Sequence, residues 1–311
     1  MEEKMVKAIL DNMNQVIVGK EEISKLLLTT MLAGGHVLIE DVPGVGKTTF
    51  ANVLAKSVDC EFARIQFTPD TMPSDITGSS IYNYEKHEFE YVEGVLMNNI
   101  ILADEINRTS PKTQASLLEA MEEGRVTVDG KTYELPKPFM VIATQNPVMQ
   151  RGTYYLPESQ LDRFMMKLSV GYPNRNEAVQ IVKNVLAGVN ISAVGNVIDA
   201  NGLEKLKEAV EKVVIQDSLI EYATECVERT REHDKVSLGA SPRALIAWIR
   251  AAKAFAFVEG RDFVTPDDLK YLAPYVLSHR LILIQSTTKD ASGASEIVSD
   301  VLRKVRVPIG K

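Results

Sequence analysis

The rhythm of hydrophobic positions changes near Tyr172. Ahead of it, short apolar runs alternate with stretches of helical spacing. His36-Val37-Leu38-Ile39-Glu40, Asn99-Ile100-Ile101-Leu102-Ala103 and Phe139-Met140-Val141-Ile142-Ala143-Thr144 predict strands buried on both faces, and Glu61 to Phe67 predicts another by period-two alternation. Helical spacing covers Met5 to Met13, Glu21 to Leu32 and Phe50 to Lys56, with a short helix over Asp75 to Gly78. A further helix opens at Ser110-Pro111, with Ser as cap and Pro in the first turn, and stops at Gly124. Two segments read as hairpins. Ser79 to Gly94 alternates Ile81, Tyr82, Tyr84, Phe89 and Tyr91 with Glu and Lys, a projecting insert with a polar tip, and the hairpin over 125–136 turns at Asp129-Gly130. Leu156 to Phe164 is a short helical turn that runs into Met165-Met166-Lys167-Leu168-Ser169-Val170.

Beyond Tyr172-Pro173 the strand signals stop. Glu177 to Leu186, Leu203 to Val214, Ser218 to Arg231, Pro242 to Glu259 and Pro266 to His279 carry apolar residues three and four apart, and Ile297 to Val305 is a last helix after a Ser/Thr/Gly-rich break. The pattern divides the chain into an α/β domain, 1–172, and a helical domain, 173–311.

Composition changes this picture little. The chain of 311 residues is 45% hydrophobic and 25% charged, ordinary for a globular protein. Its formal charge of −7 argues against a general affinity for nucleic acid or acidic membranes. The start lacks the apolar core of a signal peptide and no apolar run is long enough to span a bilayer, so a cytoplasmic protein is expected. Cys60 and Cys226 read as buried small hydrophobes, and the four histidines show no metal-ligand spacing.

The chemistry gathers at strand ends. Asp41-Val42-Pro43-Gly44-Val45-Gly46-Lys47-Thr48-Thr49 lies between the first strand and a helix. A polyphosphate is cradled by bare backbone N–H groups at the positive end of a helix, so the sequence predicts a nucleotide site. Lys47 supplies charge to the β- and γ-phosphates, and the Thr48 hydroxyl is a ligand for Mg²⁺. Asp41 stands where the regular motif has its first glycine, at a strand end where it need not touch phosphate. Asp104 and Glu105 end a second strand, where open α/β sheets hold their ligands. Alone they read equally as a solvated turn; behind a phosphate loop, the first suits Mg²⁺ and the second suits polarising an attacking water. Asn146 ends a third strand with an amide able to orient that water, or simply opens an Asn-Pro turn. Arg163 offers a planar guanidinium to spread-out phosphoryl charge, or pairs locally with Asp162. The Val16-Ile17-Val18-Gly19-Lys20 turn reads either as a surface for an adenine ring, through Val18 and Gly19, or as an ordinary interhelical turn. Ser241-Pro242-Arg243 opens a helix with a cation at its positive end, unfavourable by some tenths of a kcal/mol unless an anion, such as a phosphate, sits opposite.

In this order, the phosphate loop, the Asp104-Glu105-Ile106-Asn107-Arg108 and Ala143-Thr144-Gln145-Asn146-Pro147 strand ends, the Leu161-Asp162-Arg163-Phe164 stretch and the Ser241-Pro242-Arg243 helix resemble the AAA+ ATPases, and within them the MoxR family. The resemblance covers essentially the whole chain. It implies a five-stranded parallel sheet followed by a smaller all-α lid, Mg²⁺-dependent ATP hydrolysis to ADP, and a hexameric ring acting in chaperone-like maturation of protein complexes, commonly with a von Willebrand factor A-domain partner. It implies Lys47 and Thr48 as Walker A, Asp104 and Glu105 as Walker B, Asn146 as sensor 1, Arg163 as arginine finger and Arg243 as sensor 2. The nucleotide would then lie between the α/β domain and lid of one subunit, with residues 79–94 and 125–136 facing the ring centre. Met149, Arg151 and Tyr155 stand where the family often has acids and a proline, which leaves the subunit contacts there open. A nucleic-acid-stimulated helicase or translocase is the alternative role.

Overall fold

The computed structural model describes residues 2–42, 44–146, 154, 156–284 and 291–308. Two helices, α1 (Glu2–Asn14) and α2 (Glu21–Leu32), precede β1 (Val37–Glu40). Then come α3 (Lys47–Ser57), β2 (Phe62–Gln66), the single turn α4 (Pro73–Thr77) and a hairpin, β3 (Gly78–Asn83) with β4 (Glu88–Glu93). β5 (Ile100–Asp104) and α5 (Pro111–Glu123) lead to a second hairpin, β6 (Arg125–Val128) with β7 (Lys131–Glu134), followed by β8 (Met140–Gln145), α6 (Glu158–Leu161) and β9 (Met166–Leu168). The remainder holds α7 (Arg175–Leu186), α8 (Ala200–Glu211), α9 (Asp217–Glu232), β10 (Val236–Leu238), α10 (Pro242–Val258), α11 (Pro266–Leu277), β11 (Ile282–Leu283) and α12 (Ala291–Lys304).

The five longer-range strands form one parallel sheet in the order β2-β5-β8-β1-β9. Side chains alternate across it. Val37, Ile39, Ile100, Leu102, Met140 and Ile142 pack towards α1, α2 and α3, and Leu38, Ile101, Ala103, Val141 and Ala143 pack towards Leu117, Leu118 and Met121 of α5. Cover on both faces is why these strands are apolar at every position. The first cluster continues unbroken into Trp248, Leu269 and Val276, with α2 lying on α10, so sheet and helices share a core. Register pairs Glu40 with Gln145 and Gln66 with Asp104, which collects the polar strand ends along one edge.

Both hairpins form, and Tyr91 of one stacks on Tyr133 of the other with ring centroids 3.9 Å apart. Gly78 and Gly94 close the base of the first: a Cβ on Gly94 would lie 2.2 Å from the Gly78 nitrogen. The local departures from expectation are small. α4 starts at Pro73, and Gly78, at φ +85°, already begins β3. The region beyond Tyr172 is not purely helical, because β10 and β11 pair antiparallel. Strands of three and two residues are too short to carry a periodic signal. α8 stops at Glu211, and Val214 instead bridges Phe263, its N–H donating to the Asp262 carbonyl. Cys226 is buried as expected, but Cys60 is only half-buried.

Candidate functional site

Asp41, Gly44, Gly46, Lys47, Thr48, Thr49, Arg64, Gln66, Asp104, Glu105 and Asn146 line a cavity of about 470 Å³ at the carboxyl ends of the strands. The turn from β1 into α3 passes through Gly44 at φ +88° and Gly46 at φ +90°. Only glycine takes such angles without strain, and a Cβ at either position would meet nothing within 4 Å, so the loop presents its backbone to open space. Gly46 is the N-cap of α3, which turns the positive end of that helix towards the same space. Lys47 Nζ donates to the Asp41 carbonyl at 2.7 Å. Burial pushes the Lys47 pKa below its ordinary value, against the pull of the Asp41, Asp104 and Glu105 carboxylates.

Asp41 fills a role that the sequence did not reveal. Its Oδ2 accepts from the Val170 and Gly171 N–H groups at 2.6 and 2.7 Å, and its Oδ1 from the Val42 N–H at 2.9 Å. The carboxylate thus pins the loop to the end of β9, on the opposite side of β1 from β8.

The acidic strand end is held on both sides. Thr144 Oγ1 donates to Asp104 Oδ1 at 2.6 Å and accepts from the Glu105 N–H at 2.9 Å, while Arg64 Nη2 donates to Asp104 Oδ2 at 2.7 Å. Glu105 Oε2 accepts from Arg108 Nη1 at 2.7 Å and from Gln66 Nε2 at 3.1 Å. Glu105 itself sits in the left-handed region at φ +57°, where non-glycine residues are uncommon outside strained functional turns. Arg64, Gln66 and Thr144 therefore belong to the site. Their positions on β2 and β8 opposite Asp104 follow from strand pairing across about 40 residues, for which the local sequence carries no signal.

Thr48 and Asp104 offer hydroxyl and carboxylate oxygens to the same cavity, the donor set Mg²⁺ prefers. Among the described residues no group of three or more His, Cys, Asp and Glu side chains is disposed to hold a metal, so the remaining ligands of an ion here would be phosphate and water. The residues fit a nucleotide-bound divalent ion rather than a dedicated metal cage.

Not every expected residue reaches the cavity. Val45 packs into the apolar core, and Pro43 lies outside the described residues, as do Met149, Arg151 and Tyr155. The turn at Val18 and Gly19 rests against the start of α7, where Lys20 Nζ lies 3.7 Å from Glu177 Oε2, and does not line the cavity. Arg163 Nη1 donates to the Leu118 carbonyl at 2.7 Å and lies 2.5 Å from Glu122 Oε2. Arg243 pairs with the other oxygen of the same Glu122. Arg243 therefore does not line the cavity of its own chain, and the anion opposite the start of α10 is a carboxylate on α5, which offsets the unfavourable placement of a cation there. Among the described residues, none of the helical part lines the cavity.

Residues 36–166 match the family described as ATPase family associated with various cellular activities (AAA), and residues 228–301 match the AAA lid domain. The chain is 51% identical to the protein YeaC of Bacillus subtilis, over 96% of this chain and 94% of that one. It is 39% identical to Chaperone MoxR1 of Mycobacterium tuberculosis, over 94% of this chain and 80% of that one. A crystal structure of a Cytophaga hutchinsonii protein, provisionally designated an ATPase, superposes with a TM-score of 0.91 at 41% identity, over 99% of this chain and 96% of that one. Likeness sustained at this level along nearly the whole length makes a chance phosphate loop untenable, and the chain belongs to the MoxR family of AAA+ ATPases.

Proposed function

We propose that this chain couples Mg²⁺-dependent ATP hydrolysis, in a ring of like subunits, to the remodelling or maturation of protein complexes. One observation carries the reading: Lys47, Thr48, Asp104, Glu105 and Asn146 share a cavity, while Arg163 and Arg243 stand together on Glu122. Arg64, which lines this cavity, is committed to Asp104, so the guanidinium for the transferred group is supplied by an adjoining copy, and a hexamer is the closed ring we assign. On this reading residues 1–172 are the nucleotide-binding domain and residues 173–311 the lid, a division supported by the separate family matches. The name of the chaperone relative supports the remodelling role, with a von Willebrand factor A-domain protein as the partner we assign.

In the proposed reaction Glu105 leaves Arg108 and Gln66 to take the proton of an attacking water, and the Asn146 amide orients that water. Lys47 draws the negative charge of the γ-phosphate, and the backbone N–H groups around Gly44 and Gly46 hold the phosphates in line. Thr48 and Asp104 are the residues that would hold Mg²⁺, and the ion when bound would screen the phosphate charge. Arg163 of the adjoining copy, with Arg243 beside it, meets the charge that spreads over the transferred phosphoryl group.

Glu105→Gln tests the assignment. The variant is expected to bind a fluorescent ATP analogue as the parent does and to lose turnover by about a hundredfold or more. Equal loss of binding and turnover would remove Glu105 from the role of base. Held with ATP, the same variant is the bait for the client complex. Turnover strongly stimulated by single- or double-stranded DNA would move the reading to a nucleic-acid motor.

A further inference from the structure

We infer that Glu122 is a positioning residue that joins the two arginines into one unit and presents them together to the ATP of the neighbouring subunit. The inference rests on the trans reading of Arg163 given above. Its own basis is the arrangement around one carboxylate: Oε2 takes Arg163 and Oε1 takes Arg243. Arg163 comes from the loop that follows α6, Arg243 from the first turn of α10, and Glu122 from the last turn of α5.

Two guanidinium groups this close repel each other, and Arg243 also opposes the positive end of its own helix. Glu122 removes both penalties and fixes where each fork can point. The cluster keeps capacity for a further anion. Glu122 takes one terminal nitrogen from each arginine, so neither fork is used up by the carboxylate, and Arg243 remains half exposed. Two arginines and one carboxylate leave a net charge of +1 in a cluster that does not line the chain's own cavity, a fit for the phosphate tail of a nucleotide held by another copy. Because α5 is packed on the sheet and α10 belongs to the helical part, the carboxylate also ties the approach of the two parts to one another.

The experiment mixes subunits. Lys47→Ala has an intact arginine edge and a dead cavity; Glu122→Ala has an intact cavity and a disordered edge. Alone, Glu122→Ala is expected to bind the fluorescent ATP analogue like the parent and to turn over about tenfold or more slowly, with kcat rather than KM carrying the loss. Mixed equally with Lys47→Ala it should recover about a quarter of parental turnover, the share of interfaces completed by random mixing in a ring. Glu122→Asp, which keeps the charge, should restore part of the rate, whereas Glu122→Gln should not. An Arg163→Ala and Lys47→Ala mixture runs beside it. Failure of that control to recover removes the finger reading itself. Recovery of the control alone, or parental or faster turnover by Glu122→Ala or Glu122→Gln, overturns the role of Glu122 while leaving the finger in place.

Discussion

Burial disfavours the charged form of His36, whose two nitrogens are both committed. Nδ1 accepts the Val141 N–H at 3.0 Å, so Nε2 carries the proton and donates to the Met121 carbonyl at 3.1 Å. Burial lowers its pKa from 6.5 to about 4. As pH falls from 6.5, the unfolded chain takes up a proton that the fold refuses, so stability is full above that pH and drains away towards about 4. The span corresponds to about 3 kcal/mol for this residue. His279, pushed well below its ordinary value by burial and by Arg280, drains stability in the same direction. Denaturant unfolding between about pH 7 and pH 5 should therefore show a falling stability, with a shallower slope in His36→Gln. Equal slopes would show that His36 takes up its proton in the folded state. The sequence marked His36 only as the start of a strand, because its partners lie 85 and 105 residues away. The role of Asp41 was hidden for the same reason: two of its N–H partners, Val170 and Gly171, arrive from beyond β9, and a missing glycine in a motif says nothing about what replaces its function.

Elements whose ends are fixed by local chemistry were legible to the residue. Ser110 caps α5 by accepting from the Thr113 N–H, Pro111 occupies its first turn, and Gly124 ends it in the left-handed region. Ser241 and Thr265 cap α10 and α11 in the same way. The phosphate loop belongs to this class, since its backbone angles demand particular residues. Gly46→Ala would force alanine to φ +90°, at a cost of about 1–3 kcal/mol. Among the described residues the added methyl meets nothing within 4 Å beyond its chain neighbours, so the penalty is conformational in the empty protein, and in the loaded one the methyl intrudes where phosphate must lie. The expected result is a modestly lowered melting temperature with a much larger fall in ATP-analogue affinity, read by calorimetry and fluorescence titration. A drop in affinity no larger than the stability loss explains would mean that phosphate does not touch this part of the turn. The β10–β11 pair was not legible, since residues 45 apart decide it and each strand buries too little to leave a pattern.

At the scale of the whole molecule, a change of hydrophobic rhythm separates a mixed half from a helical half, yet the packed core does not break there. The joint is a buried charge. Arg280, 6% exposed, donates through Nε to Asp162 Oδ1 at 2.7 Å and through Nη2 to the Phe164 carbonyl at 2.7 Å, while Ser241 Oγ donates to Asp162 Oδ2 at 2.9 Å. Asp162 thus fastens the end of α11 and the cap of α10 to the loop leading into β9, next to Arg163. Burial disfavours the charge on Arg280, and the Asp162 carboxylate is the first force that holds it. Removing one partner of a buried pair strands the other, so Asp162→Ala should cost about 3–5 kcal/mol in denaturant unfolding. Asp162→Asn, which keeps an acceptor but no charge, should fall between. Because the same carboxylate holds α10, loss of Asp162 should also free Arg243 from its place beside Arg163 and depress turnover at temperatures where the protein remains folded. A variant as stable as the parent would show that the carbonyls around Arg280 carry its charge unaided, and that the two halves are joined by their apolar core alone.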